Sequence, residues 1–123
     1  MSTTDTEPDV SDKKSHAIRF FNQEAKNILG QREYHNLRHG AMNTSLVADE
    51  AVENFILEGA SKEIQRKAET GWNYRSAFRK VTRDWPLPAV GRLAEHELYR
   101  HSKSGDDEYS EMLRNIEAEH NVL

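Results

Sequence analysis

Apolar side chains recur every three to four residues along most of this chain of 123 residues, and nowhere do they alternate cleanly with polar ones. This spacing places them on one side of an α-helix, whereas a half-buried strand needs a period of two. The widest apolar face belongs to the predicted helix 41–57 and comprises Val47, Ala48, Ala51, Val52, Phe55 and Ile56. The sequence therefore predicts an all-α fold, a compact bundle of four to six short helices with this one at its centre. A long helical hairpin that dimerises is the main alternative.

Glycine, proline and capping residues set the predicted helix limits. The first helix, over 13–29, should end at Gly30, because glycine commonly follows the last residue of a helix. Residues 31–40 are predicted to be a polar connection with at most one turn of helix. Gly59 is predicted to end the second helix, and Ser61 to cap a short third one. The later helices are predicted over 62–70, 71–85 and 87–101, and from Ser104–Asp107 onwards.

Composition predicts a disordered acidic tail over 1–12 and a single helical domain over 13–123. The tail holds almost nothing apolar, so burial cannot offset the entropy of ordering it. No apolar stretch approaches the ~18 residues of a membrane helix, and no signal peptide is visible, so we expect no membrane partner. The chain has no cysteine, which excludes disulfides and thiolate metal sites and fits a reducing, cytoplasmic compartment.

Charge is distributed very unevenly within the net value of −4. Residues 62–92 carry eight basic and three acidic side chains, whereas residues 93–123 carry three basic and eight acidic ones. The first twelve residues add four more acids and no base. A basic middle between acidic ends indicates either an anionic partner or an internal pairing of the middle with the ends.

The basic middle includes a regular row of arginines. Arg75, Arg79 and Arg83 stand at i, i+4 and i+8, opposite an apolar arc that contains Tyr74, Ala77, Phe78, Val81 and Trp85. Lys80 flanks the row, and Trp72 stands near its start. Each pair of like charges at this spacing destabilises a helix by roughly a few tenths of a kcal/mol, so the exposed face of an ordinary helix avoids such pairs. Because arginine forks match phosphate oxygens, we predict a strip that binds DNA or RNA. Alternatively, the row pairs inside the fold with Glu111 or Glu117.

Two pairs of residues have the spacing of metal ligands. His35 and His39 stand at i, i+4, which can direct two imidazoles to one metal ion if the segment is helical. Glu97 and His101 have the same spacing within the apolar arc of the helix 87–101. All four would form a ligand set if the two segments met. The prediction is nevertheless that no metal or other cofactor is bound, with Glu97 and His101 bonded to each other at the edge of the apolar face.

The string Tyr34-His35-Asn36-Leu37-Arg38-His39 resembles the Tyr-His-Asn-x-x-His motif of cyclic-nucleotide phosphodiesterases and related HD-type phosphohydrolases. The resemblance implies that His35 would be a proton donor and His39 the first metal ligand. The family also needs a downstream His-Asp dipeptide, but here His96 is followed by Glu97. A metal-dependent phosphohydrolase is therefore a remote alternative, and we claim no family.

The leading hypothesis is a small, non-enzymatic regulatory protein that binds nucleic acid through Arg75, Arg79, Arg83, Lys80 and Trp72. The sequence has no Gly-rich phosphate loop and no Gly-x-Ser-x-Gly elbow, which lowers the expectation of an enzyme. The second hypothesis is a protein-binding adaptor or inhibitor that recognises an acidic protein surface. Phe20, on the polar side of the first predicted helix, would be one of its contacts. A homodimer is compatible with both hypotheses.

Overall fold

The computed structural model describes residues 10–104 and 110–121, and all regular structure in those ranges is helical. The helices are α1 (Val10–Ala41), α2 (Ala48–Glu69), α3 (Tyr74–Val81), α4 (Leu87–Ser104) and α5 (Ser110–Asn121). The predicted all-α bundle is confirmed. In the described ranges, no helix has the length and apolarity needed to cross a membrane. Most of the predicted acidic tail, residues 1–9, and the expected start of the last helix, residues 105–109, lie outside the described residues.

Gly30 divides α1 into two segments that fold back on each other. Its backbone has φ 83° and ψ 166°, a conformation almost restricted to glycine. In an unbroken helix Asn22 and Arg38 would be about 24 Å apart along the axis. Instead, Nη1 of Arg38 donates to Oδ1 of Asn22 at 2.7 Å. The predicted helix end at Gly30 is therefore confirmed, but the predicted connection 31–40 is wrong, because the chain becomes helical again immediately beyond the turn.

Side chains hold this hairpin closed and attach it to α2. The hydroxyl of Tyr34, in the second segment, donates to Oδ1 of Asn22 in the first. Nη1 of Arg38 lies 2.7 Å from Oδ1 of Asp49, in the first turn of α2. The hydrogen bond from Arg38 is the main reason why the pKa of Asp49 is lower than usual. A folded-back α1 explains how residues on both sides of Gly30 contact the same part of α2.

One continuous helix, α2, replaces the two that were predicted on either side of Gly59. Gly59 is exposed, and a single glycine inside a helix costs only about 1 kcal/mol relative to alanine. The buried face continues across it, from Val52 and Ile56 to Ala60 and Ile64. Ser61, predicted as a cap, is buried within α2. The predicted break is wrong because the packing of this continuous face outweighs the preference of one residue.

The second helix begins later than predicted, at Ala48, so Val47 precedes it and is 65% exposed, and α2 shares the central position with α4. α2 packs against α1, α3 and α4, and α4 also packs against α1 and α5. Arg92 of α4 bonds to Glu53 of α2, and Glu97, further along α4, bonds to Ser61, further along α2. The two helices are therefore broadly parallel, and α3 lies in the connection between them. The most deeply buried large apolar side chains are Phe21, Val52, Ile64, Phe78, Leu93 and Leu113.

Phe20 packs against the core instead of facing a polar surface. Its ring centroid lies 5.6 Å from that of Phe21 and 5.3 Å from that of Trp85. Phe21 is 1% exposed, and the Phe20 and Trp85 side chains are partly buried against the core. The predicted polar setting of Phe20 is wrong, because Trp85, which follows α3, extends the apolar environment beyond the main face of α1. A contact of Phe20 with a partner protein stays a prediction.

Candidate nucleic-acid interface

The limits of α3 are set by local hydrogen bonds. Gly71 has φ 106° and allows the chain to turn after α2. Oδ1 of Asn73 then accepts the backbone N–H of Ser76 at 2.8 Å, which caps the helix. At the other end, the Thr82 hydroxyl donates to the carbonyl oxygen of Phe78 at 2.9 Å. As a result α3 covers only Tyr74–Val81, which is shorter than the predicted helix 71–85.

The two faces of α3 differ as the sequence predicts. Tyr74, Ala77 and Phe78 are buried, whereas the charged residues on the other side are exposed. We call the exposed set the basic row: Arg75, Arg79, Lys80 and Arg83. The predicted third helical position of Arg83 is wrong, because the helix ends first and Arg83 lies in the following turn.

The basic row is uncompensated in the described part of the chain, where no carboxylate forms an ion pair with any of its members. Most nearby bases are paired. Arg66 lies 2.6 Å from Glu63, and Arg92 donates to Glu53 at 2.9 Å. Lys62 is also exposed, and it forms no ion pair with a residue in the described ranges. The alternative pairing with Glu111 is not formed, and the Glu117 side chain lies outside the described residues. Among the described residues the fold pairs five arginines and lysines with carboxylates, and it leaves four exposed cations between residues 75 and 83 without such a pair. The paired bases are Arg38, Arg66, Lys67, Arg92 and Arg100.

An exposed tryptophan precedes the basic row. Trp72 is 42% exposed and lies in the turn between α2 and α3. Its backbone N–H donates to the carbonyl oxygen of Lys67 at 3.1 Å. The ammonium of Lys67 lies 4.6 Å from the centroid of the indole, which is a cation–π contact. These two contacts fix the turn to the end of α2 while part of the ring remains accessible.

Behind α3, a buried carboxylate connects three helices. Glu97 is 0% exposed and accepts hydrogen bonds from Ser61 at 2.7 Å, Tyr74 at 2.7 Å and Arg100 at 2.8 Å. Burial opposes its ionisation, but the nearby His96 ring and the hydrogen bonds from Arg100, Tyr74 and Ser61 hold the pKa of Glu97 well below its ordinary value. Burial, and then the charge of Glu97, raise the pKa of the Tyr74 hydroxyl far above its usual range. The cluster positions the first residue of α3, which precedes Arg75.

The structure separates the four candidate metal ligands into different settings. His35 and His39 are exposed on the second segment of α1. Glu97 and His101 are buried, with 3.9 Å between Oε1 and Nε2, so their predicted place at the edge of the apolar face is wrong. Among the described residues, no three His, Asp or Glu side chains are arranged to hold a metal ion. Sequence reasoning singled out Glu97 for its unusual position but missed Ser61 and Tyr74 as its partners.

Tyr34, the first residue of the string that resembles the phosphohydrolase motif, is buried and bonded to Asn22. The residue therefore closes the α1 hairpin, which is a structural role. No family model, curated protein or solved structure matches the chain. Charge and geometry are consequently the basis on which its function is inferred.

Proposed function

We propose that this protein is a small, non-enzymatic regulator that binds nucleic acid through the basic row. The observation that carries the proposal is the concentration of four exposed cations within nine residues, none of which forms an ion pair with a described residue, next to bases that the fold does pair. In the free protein these like charges repel one another, and phosphates placed against them remove that repulsion. Three of the four are arginines, whose planar guanidinium groups can each hold two phosphate oxygens.

The shape of the surface favours an extended polyanion over a single small anion. Arg75 and Arg79 are one helical turn apart, about 6 Å along the axis, and Arg83 continues beyond the end of α3. Cations spaced along a line contact successive charges of a polymer, and each contact releases counterions to solution. An acidic protein surface is the second candidate partner, because it too presents several negative charges.

The test measures binding of labelled nucleic acid and of polyglutamate by fluorescence anisotropy, at about 50 mM and 200 mM salt. We expect nucleic acid to bind more tightly than polyglutamate of similar charge, with binding weakened by salt. Arg75→Glu and Arg79→Glu should each reduce that affinity without unfolding the domain, because both side chains are exposed. Arg66→Glu is the matched control on α2, outside the row. Equal binding of polyglutamate would favour the acidic-protein alternative, and no binding of nucleic acid at low salt would reject the proposal.

A further inference from the structure

An exposed tryptophan stands three residues before the first arginine of the basic row, and from this arrangement we infer that the preferred ligand is single-stranded nucleic acid, with one base stacked on Trp72 and the neighbouring phosphates on the row. The inference rests on the proposed function and adds the form of the nucleic acid. A cationic track combined with an aromatic side chain is the usual means by which proteins bind single strands without sequence preference.

Trp72 is exposed, whereas Trp85, the other tryptophan of the chain, packs against the core. Trp85 packs against Phe20 and Phe21, with centroid distances of 5.3 Å and 5.9 Å. Trp72 remains 42% exposed, and the Lys67 ammonium lies against its ring. The contact with Lys67 holds the indole in place, so stacking a base on its open surface needs little further ordering. Bases offer their faces for such stacking in a single strand, whereas in a duplex the neighbouring base pairs cover them.

The exposed residues of α3 suit phosphates and do not include the side chains that typically recognise adenine. They are Arg75, Ser76, Arg79 and Lys80. Recognition of adenine in a duplex typically uses the amide of Asn or Gln, and none stands on this face. Asn73, just before it, already uses Oδ1 to cap the helix. The row is therefore equipped to hold a phosphate backbone. Arginine can also contact guanine in the major groove of a duplex, and the duplex arm of the experiment below tests that mode of binding.

Negative charge at both ends of the row also favours a narrow ligand. Glu69 precedes Trp72, Asp84 follows Arg83, and both are exposed. The whole chain carries a net charge of −4. A duplex presents a second line of phosphates that would approach these and other carboxylates, while a single strand can stay on the row. Repulsion from the rest of the surface thus opposes a duplex more strongly than a single strand.

The experiment uses the full chain and labelled ligands of mixed sequence, about 12 nucleotides long: single-stranded DNA, single-stranded RNA and the matching DNA duplex. We expect one or both single strands to bind more tightly than the duplex. Trp72→Ala should weaken single-strand binding roughly five- to a hundredfold, and Trp72→Phe much less, because a phenyl ring still stacks. Leu87→Ala removes another exposed apolar side chain, 64% exposed and outside the row, and should have no effect. Quenching of tryptophan emission by the single strand should disappear in Trp72→Phe.

The outcomes separate this inference from the proposed function. Duplex binding as tight as single-strand binding, with both unchanged in Trp72→Ala, would overturn the inference and leave binding through the row intact. Absence of binding to all three ligands would reject the proposed function itself. A preference for either single strand over the duplex, lost in Trp72→Ala, supports the inference, and the tighter of the two identifies DNA or RNA as the ligand. Thermal unfolding of each variant checks that the fold is retained.

Discussion

The hydroxyl of Tyr74 donates a hydrogen bond to Oε1 of Glu97 across 2.7 Å and so joins the first residue of α3 to the middle of α4. A helix of eight residues is too short to be stable alone, so its position depends on such tertiary contacts. Ser61 of α2 donates to the other oxygen of the same carboxylate at 2.7 Å. A single buried side chain thus fixes the helix that carries most of the basic row.

Replacing this carboxylate should destabilise the protein. We expect Glu97→Gln to cost about 2–3 kcal/mol in the free energy of unfolding, because the neutral amide loses the charge-assisted bonds from Arg100, Tyr74 and Ser61. The same substitution at Glu95 is the matched control. Glu95 is exposed on α4 and 3.4 Å from Arg92, so Glu95→Gln should change stability by less than about 0.5 kcal/mol. Equal effects in urea denaturation would show that Glu97 is not the buried connection described above.

Two glycines should respond oppositely to alanine. Gly30→Ala is expected to cost about 1–3 kcal/mol, because φ 83° with ψ 166° strains any side-chain-bearing residue. The added methyl group would meet no atom within 4 Å, so the cost comes from the backbone alone. Gly59→Ala, inside α2 and equally free of contacts, should stabilise the protein by up to about 1 kcal/mol. Denaturation of both variants measures the difference. A Gly30→Ala variant as stable as the original would mean that α1 does not turn there.

His96 should make stability depend on pH in the neutral range. Its Nε2 lies 3.2 Å from Glu58, and its Nδ1 lies 3.6 Å from Glu97. The interaction with Glu97, followed by that with Glu58, raises the pKa of His96 above its ordinary 6.5 despite partial burial. The charged ring therefore stabilises the fold fully below pH 6.5, and this contribution disappears as pH rises through the higher folded-state pKa. The His96→Gln variant should be clearly less stable than the original protein near about pH 6, and the two should differ little near about pH 9. Identical pH profiles for the two proteins would contradict this assignment.

Periodicity predicted the buried face of α3, because the face of a helix is determined by local spacing. Tyr74, Ala77 and Phe78 are buried and the row opposite them is exposed, as expected. Helix ends were harder to predict, because they depend on what else the residue contacts. Gly30 breaks a helix with a positive φ, whereas Gly59 lies inside one whose apolar face continues past it. Both are preceded and followed by plausible helix sequences, so composition alone does not separate them.

Only part of the candidate site could be predicted from the sequence, because local spacing fixes some of its features and the packing of distant segments fixes the others. Arg75, Arg79 and Lys80 follow from local spacing, but the end of α3 before Arg83 depends on the Thr82 hydroxyl and the packing around it. The lack of ion pairs along the row could not be predicted, since a partner such as Glu53 for Arg92 is 39 residues away along the chain. Contacts of that separation depend on how the helices pack, which no short pattern specifies.

The salt dependence of binding should identify the individual contacts of the row. For a single strand, each phosphate contact adds roughly 0.7 to the slope of log affinity against log salt. Arg79→Gln should therefore lower that slope by about 0.7 while unfolding stays unchanged, because its side chain is exposed and unpaired among the described residues. Arg66→Gln removes the same charge from α2, where Glu63 pairs with it at 2.6 Å, and should leave the slope as it was. An equal reduction of the slope in both variants would mean that binding depends on the total charge of the protein and not on contacts made by the basic row.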